Sequence, residues 1–149
     1  YSTLTIYVLA PKSLNIKTAE DLKPVTISVA RASTQDTAIS AVAPAGTPLK
    51  RFDDDATALQ ALISGQVQAM GASNTILAQL LKDYPQLNIE PKLTLKEQAN
   101  GMAFRKADTA LAEFSNKFIA EIEANGELSK INQKWFGIAL PKLPAMPQF

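Results

Sequence analysis

Two stretches of the chain place hydroxyl and amide side chains directly after a short apolar run, and binding chemistry is expected there first. In the first, Val25-Thr26-Ile27-Ser28-Val29-Ala30 leads into Arg31-Ala32-Ser33-Thr34-Gln35-Asp36. A strand that feeds a helix start leaves backbone N–H groups without intrahelical acceptors, at the positive end of the helix dipole. Such a turn suits a carboxylate or phosphate, and in open α/β sheets ligands bind at this carboxyl edge. Ser33, Thr34 and Gln35 are the candidate ligand-binding residues of this turn, and Arg31 is a candidate partner for an anion. The everyday alternatives are that Ser33 caps its own helix and that Arg31 is a solvated loop residue. The pattern recurs at Val67-Gln68-Ala69-Met70-Gly71-Ala72-Ser73-Asn74, which adds Ser73 and Asn74 as candidates. Gly71 and Ala72 leave room for a ligand to approach the backbone, or serve close helix-sheet packing.

Other chemistry is poorly supplied. The chain has no Cys and no His, which excludes disulfide frameworks, thiolate metal sites, the usual zinc sites and His-dependent triads. No metal or cofactor is expected. Asp53-Asp54-Asp55 lacks the alternating acceptors and closing Glu of a calcium loop, and charge at a helix start explains it better. Glu20/Asp21 and Glu121/Glu123 resemble paired catalytic carboxylates, but each lies on a helix or helix start and reads as surface. Lys130 and Lys134 read as a solvated face, and Trp135-Phe136 as a packing anchor. No P-loop, dinucleotide glycine fingerprint or nucleophile elbow is present.

The elements that must position the two turns alternate between strand and helix. Strands are expected at Thr3–Ala10, Val25–Ala30, Leu49–Phe52, Val67–Gly71, Asn88–Leu93 and Gln98–Phe104. Thr18-Ala19-Glu20-Asp21 reads as a capping box, Asp21 standing in for Glu, that opens a one-turn helix ended by Pro24. Helices are expected from Ser33 to about Val42, across Ala58, Leu59, Leu62 and Ile63 with Gly65 closing, and over Thr75–Tyr84, Thr109–Asn125 and Glu127–Phe136. Leu111, Phe114, Phe118 and Ile122 share one face of the longest helix. The Pro-rich end, Pro141 to Pro147, is expected to lie extended. The alternation argues an α/β fold: a short, mostly parallel sheet flanked by helices.

A length of 149 residues suggests one domain. Fifteen Lys and Arg against fourteen Asp and Glu leave a formal charge of +1, so no broad basic field exists for nucleic acid. No apolar run approaches the roughly twenty residues of a membrane span. The chain opens on Tyr1, not Met, and directly on a strand, so it is expected to continue something removed upstream by processing or design.

In order, these features resemble the bacterial solute-binding proteins of polar amino-acid ABC transporters, whose two lobes are joined by two hinge strands. The resemblance rests on the opening hinge-like strand after Tyr1-Ser2, Ile16-Lys17-Thr18-Ala19-Glu20-Asp21-Leu22, Ser33-Thr34-Gln35-Asp36-Thr37-Ala38, and Ala58 to Ala69. It continues through Ser73-Asn74-Thr75-Ile76-Leu77-Ala78, Gln98 to Lys106, Asn125-Gly126-Glu127-Leu128 and Lys134-Trp135-Phe136-Gly137. It covers essentially the whole chain. It implies a periplasmic-binding-protein lobe: hinge strand at 1–9, complete second lobe at 10–98, return hinge strand at 99–104. The C-terminal helices of the first lobe would then occupy 105–137 and a Pro-rich tail 138–149.

The resemblance further implies capture without catalysis. Ser33 and Thr34, with Gln35 beside them, fall where the family holds a ligand α-carboxylate. Ser73 falls where the family usually carries the aspartate that grips the α-ammonium, which implies a ligand with a modified or absent amine, or a compensating anchor elsewhere. Ala32 stands where Gly is frequent. The family's N-terminal segment of roughly one hundred residues, an ordinary domain length, has no counterpart here, so the chain reads as a fragment of the binder. Without that segment the helices would expose Leu111, Phe114, Phe118 and Trp135, so they are expected to be disordered, packed on the second lobe or covered by another chain. The expected partners are a small polar ligand, a membrane ABC permease in the full-length form, no nucleic acid, and a second copy through those helices. The expected location is periplasmic. The alternatives are a periplasmic dehydratase-like enzyme or a sensor domain on the same fold.

Overall fold

The computed structural model describes residues 2–137 and Leu140; the reading of 138–149 as an extended tail falls, Leu140 apart, outside the described residues. The chain divides into two compact units. One is Thr5–Glu97; the other holds the described residues of 1–4 and 98–149. The division falls within strands β1 (Ser2–Pro11) and β5 (Ile89–Asn100).

The Thr5–Glu97 unit also contains β2 (Ile27–Ala30), β3 (Leu49–Phe52) and β4 (Ala69–Ser73). The sheet order is β3-β2-β4-β1-β5. β2 pairs in parallel with both β3 and β4, whereas β1 runs antiparallel to β4. The α/β sheet is therefore mixed, with β3, β2 and β4 parallel and β1 antiparallel to β4. Helices α1 (Thr34–Val42), α2 (Asp55–Ile63) and α3 (Asn74–Asp83) complete the unit.

Period-two alternation sorts the apolar residues onto two faces. Val8, Ala10, Ile27, Val29 and Ala69 meet Ile39 of α1 and Leu22 on one face. Leu9, Met70 and Ala72 meet Ala58, Leu59 and Leu62 of α2 and Leu77 and Leu80 of α3 on the other. With helices on both faces the central strands are buried throughout, as parallel pairing requires. Ser28, fully buried on β2, donates its hydroxyl to the Ala58 carbonyl at 2.9 Å, so its burial leaves no polar atom unpaired.

Several boundaries differ from the sequence reading. β2 starts at Ile27 and β4 at Ala69, each two residues late, because Thr26 and Gln68 bond to each other first. The Thr26 N–H donates to the Gln68 side chain at 2.8 Å and the Gln68 N–H to the Thr26 carbonyl at 3.0 Å. Asn88–Leu93 and Gln98–Phe104, expected as two strands, are replaced by the single strand β5, which ends at Asn100. Pro91 lies inside it, and an edge strand tolerates a residue with no N–H to donate.

In the other unit, α4 (Thr109–Ala124) and α5 (Glu127–Phe136) are joined through Gly126 at φ +81°. They bury Ala112, Ile119 and Leu128, and leave Leu111, Phe114, Phe118, Ile131 and Trp135 exposed. The expectation of Trp135 as a packing anchor is corrected: it is 70% exposed, with the Lys134 ammonium 5.4 Å from its ring centre.

Gly71 on β4 leaves no room for a side chain: an added Cβ would stand 2.7 Å from Val29 Cγ1. Gly71→Ala should therefore destabilise the protein by about 1–3 kcal/mol, the usual cost of overpacking a core. Urea unfolding checks this, and Val29→Ala in the same chain should recover part of the loss.

Candidate functional site

Parallel pairing brings the carboxyl ends of β3, β2 and β4 to one edge of the sheet, and α2, α1 and α3 begin just beyond them. Three helix N-termini therefore gather there, each with partial positive charge.

At the start of α1, Ser33 is the N-cap. Its hydroxyl accepts from the Asp36 N–H at 3.1 Å and donates to the Ala30 carbonyl at 2.7 Å, so it is committed within the protein. The N–H groups of Thr34 and Gln35, the first two residues of the helix, have no intrahelical acceptor. These N–H groups and the half-buried Thr34 side chain are the donors the turn can offer. The Gln35 amide is buried and reaches Asp55 Oδ1, at the start of α2, at 3.4 Å. Arg31 is largely exposed, with Nη2 3.7 Å from Asp53 Oδ1; such an exposed pair contributes little.

At the start of α3, Ser73 and Asn74 are both buried. Ser73 occupies the N-cap position without capping; its hydroxyl lies 2.6 Å from that of Thr75. Asn74 Oδ1 accepts from the Thr5 N–H at 3.5 Å. The structure thus sets Ser33, Thr34, Gln35 and Arg31 at the end of β2, and Ser73 and Asn74 at the end of the adjacent strand β4.

The acidic residues divide by role. Asp54 caps α2, accepting from the Thr57 N–H and hydroxyl, both at 2.7 Å. Asp21 accepts from the N–H groups of Lys17 and Thr18 and from the Thr18 hydroxyl, which closes the expected capping arrangement around Ala19–Leu22. These bonds hold both carboxyls below the usual carboxylate range. Among the described residues no group of three or more carboxylates converges as a metal site would require.

Sequence reasoning missed Asp36 and Arg51. Asp36 is nearly buried and accepts from Arg51 Nε on both oxygens at 3.0 Å, from the Ser40 hydroxyl at 3.1 Å and from the Ala32 N–H at 3.2 Å. The Arg51 bond is the main cause holding its carboxyl below the ordinary range, against the opposing effect of burial. Ala32 sits at φ +54°, a conformation Gly adopts more readily. No local pattern pointed to the pair, which depends on the parallel pairing of β2 and β3 that sets Arg51 opposite Val29. An apolar pocket of about 400 Å³, lined by residues including Pro11, Leu62, Val67 and Ile89, opens at the other end of β4 from Ser73.

Residues 5–138 match the bacterial extracellular solute-binding proteins, family 3, and the chain belongs to that family. The L-cystine-binding protein TcyJ of Escherichia coli is 28% identical over 127 residues, which are 85% of this chain and 47% of that protein. An ancestral arginine-binding protein bound to arginine superposes with a TM-score of 0.62 at 31% identity, over 90% of this chain and 61% of that one. The L-cystine solute receptor of Neisseria gonorrhoeae, in its unliganded open conformation, shares the fold with a TM-score of 0.74 at 24% identity, over 94% and 59% of the two chains. The chain spans about half the length of the curated relatives it matches. Among the described residues no helix is long and apolar enough to cross a membrane.

Asp55 differs from its neighbours. Burial, and secondarily the charge of Asp54, push its carboxyl above the ordinary aspartate value. A carboxyl raised on folding binds its proton more tightly in the folded state, so it penalises that state at neutral pH and the penalty vanishes at low pH. Asp55→Asn should therefore raise the melting temperature at pH 7, with the gain shrinking to nothing below the ordinary aspartate range. Thermal melts across that range check it; a lower melting temperature at pH 7 would show that helix-start charge outweighs burial.

Proposed function

We propose that this chain supplies one lobe of a bacterial extracellular solute-binding protein that captures an amino acid or related small polar solute for an ABC importer. The observation that carries this reading is the pair of helix starts at Ser33-Thr34 and Ser73-Asn74, on adjacent strand ends, in a chain of this family. The Thr34 and Gln35 N–H groups hold a carboxylate, Ser73 and Asn74 meet the rest of the polar ligand, and Arg31 adds long-range attraction. The role proposed is capture and release, in keeping with a family of solute-binding proteins. A second lobe closes over the ligand, and the closed form engages a membrane permease outside the cytoplasm. Residues 10–98 are that ligand-binding lobe, and β1 and β5 are the hinge strands that lead to helices belonging to the other lobe. Relatives named for cystine, arginine and glutamine support an amino-acid ligand without choosing one.

The test is a thermal-shift series with L-arginine, L-glutamine, L-cystine, opines and dicarboxylates, on this chain and on a form extended to the length of its relatives. A ligand at one hundred times its Kd stabilises the folded state by about 2.7 kcal/mol. The extended form should show such a shift with at least one compound and this chain a weaker one. No shift with any compound would overturn the transport reading.

The exposed side of α4 and α5 belongs to the same proposal. Phe114 is 67% exposed and Trp135 70%, and exposed apolar patches mark interaction surfaces. In the complete binder further polypeptide of the other lobe covers it; in this chain alone a second copy does. Light scattering should show concentration-dependent dimers that Phe114→Ser with Trp135→Ser returns to monomer.

A further inference from the structure

The first turn of α1 carries a carboxylate where negative charge works against an anionic ligand. Asp36 is the third residue of the helix and nearly buried. Its Oδ2 takes the Ala32 N–H at 3.2 Å, within the turn that presents the Thr34 and Gln35 N–H groups. Alone, a full negative charge there would more than cancel the roughly half-unit positive charge of the helix start.

Arg51 reverses that balance. It stands on β3, and its Nε bridges both Asp36 oxygens at 3.0 Å. Its Nη2 donates to the Ser40 hydroxyl at 3.1 Å, and Ser40 donates to Asp36 Oδ1 at 3.1 Å. The ring of three side chains ties α1 to β3 and leaves the Asp36 charge compensated where it lies. Asp36 in turn holds the left-handed Ala32 through its N–H, fixing the path of the loop into the helix.

We propose that Arg51 is a positioning residue for ligand capture: by neutralising Asp36 it keeps the α1 turn receptive to a carboxylate, while Asp36 keeps the turn in shape. The proposal deepens the reading of that turn as a ligand contact and rests on it. The geometric and electrostatic parts are separable. Asp36→Asn retains an acceptor for the Ala32 N–H but removes the charge; Arg51→Gln retains a donor but removes the compensation. A purely structural pair would weaken binding in both variants. An electrostatic counterweight moves them in opposite directions.

The experiment titrates sodium acetate, at constant ionic strength, into the full ¹⁵N-labelled chain and follows the Thr34 and Gln35 amide resonances. Acetamide serves as the neutral isostere. Acetate should perturb both amides in the wild type. Arg51→Gln should weaken acetate about fivefold, Asp36→Asn should strengthen it about twofold, and the double variant should lie within about twofold of wild type, as a partly screened charge at the binding turn requires. Acetamide should respond equally to all variants. If Arg51→Gln does not fold, Asp36→Asn carries the test together with Arg51→Lys, which keeps the charge and should hold acetate affinity within about twofold.

Weakening in Asp36→Asn, equal losses for acetate and acetamide, or no wild-type response at these amides would each overturn the proposal. Acetate keeps this result separate from the transport reading. Acetate binding with no response to any amino acid retires that reading and leaves the counterweight. Amino-acid binding without the opposite-signed charge effect retires the counterweight alone.

Discussion

β2 is hydrogen-bonded on both sides to strands that run in its own direction, and everything at the candidate site follows from that geometry. Parallel neighbours cannot be joined by tight hairpins, so each chain crossing carries a helix over a face of the sheet. Each helix therefore starts where its strand ends, on the same edge. The contact that allows β4 to lie beside β2 is the missing side chain at Gly71, against which Val29 and Ile39 pack. Core packing and candidate-site geometry thus meet at one glycine: the absent side chain lets β4 and β2, and with them the α3 and α1 starts, lie side by side.

Electrostatics refine what packing arranges. Three helix starts on one edge would form a broad positive region, yet the chain places carboxylates at the starts of α1 and α2, while the first turn of α3 has none. Asp54 and Asp36 are bonded into their own turns, and both are held ionised by donors close by. Asp55 is the exception, an under-solvated acid whose contact is the Gln35 amide. What is left facing outward on α1 is a pair of backbone donors, which take an acceptor without a mobile charged side chain having to be ordered. A site of backbone N–H groups is pre-organised, and pre-organisation lowers the entropic cost of binding.

The parts legible in the sequence were those decided locally. Leu49–Phe52 and Glu127–Phe136 match the expected bounds because their limits are set by turn residues and glycines at each end. The Asp21 cap was legible for the same reason, as a side chain bonding within four residues. Boundaries set by long-range bonds were not: Gln68 and Thr26 lie 42 positions apart, and their pairing shortens both strands. Ser33, Thr34, Gln35, Ser73 and Asn74 could be singled out because a strand followed by polar residues is a local signal. That the Ser33 hydroxyl is already committed, and that Arg51 answers Asp36 from 15 residues away, depends on parallel register that no local pattern reveals.

The two units differ in how completely they bury what their sequences supply. Around β2 and β4 apolar residues on both faces of the sheet find partners, so no large side chain of the central strands meets water. Helices α4 and α5 bury Ala112, Ile119 and Leu128, while their largest residues, Phe114, Phe118 and Trp135, stand exposed. A pair of helices with so small a shared core gains little against the entropy of ordering its backbone. Helices of that kind are stable when a sheet or a neighbouring chain takes their apolar side, and relatives about twice as long have additional chain to provide it. The two helix starts of the candidate site lie in the other unit, whose sheet is covered on both faces.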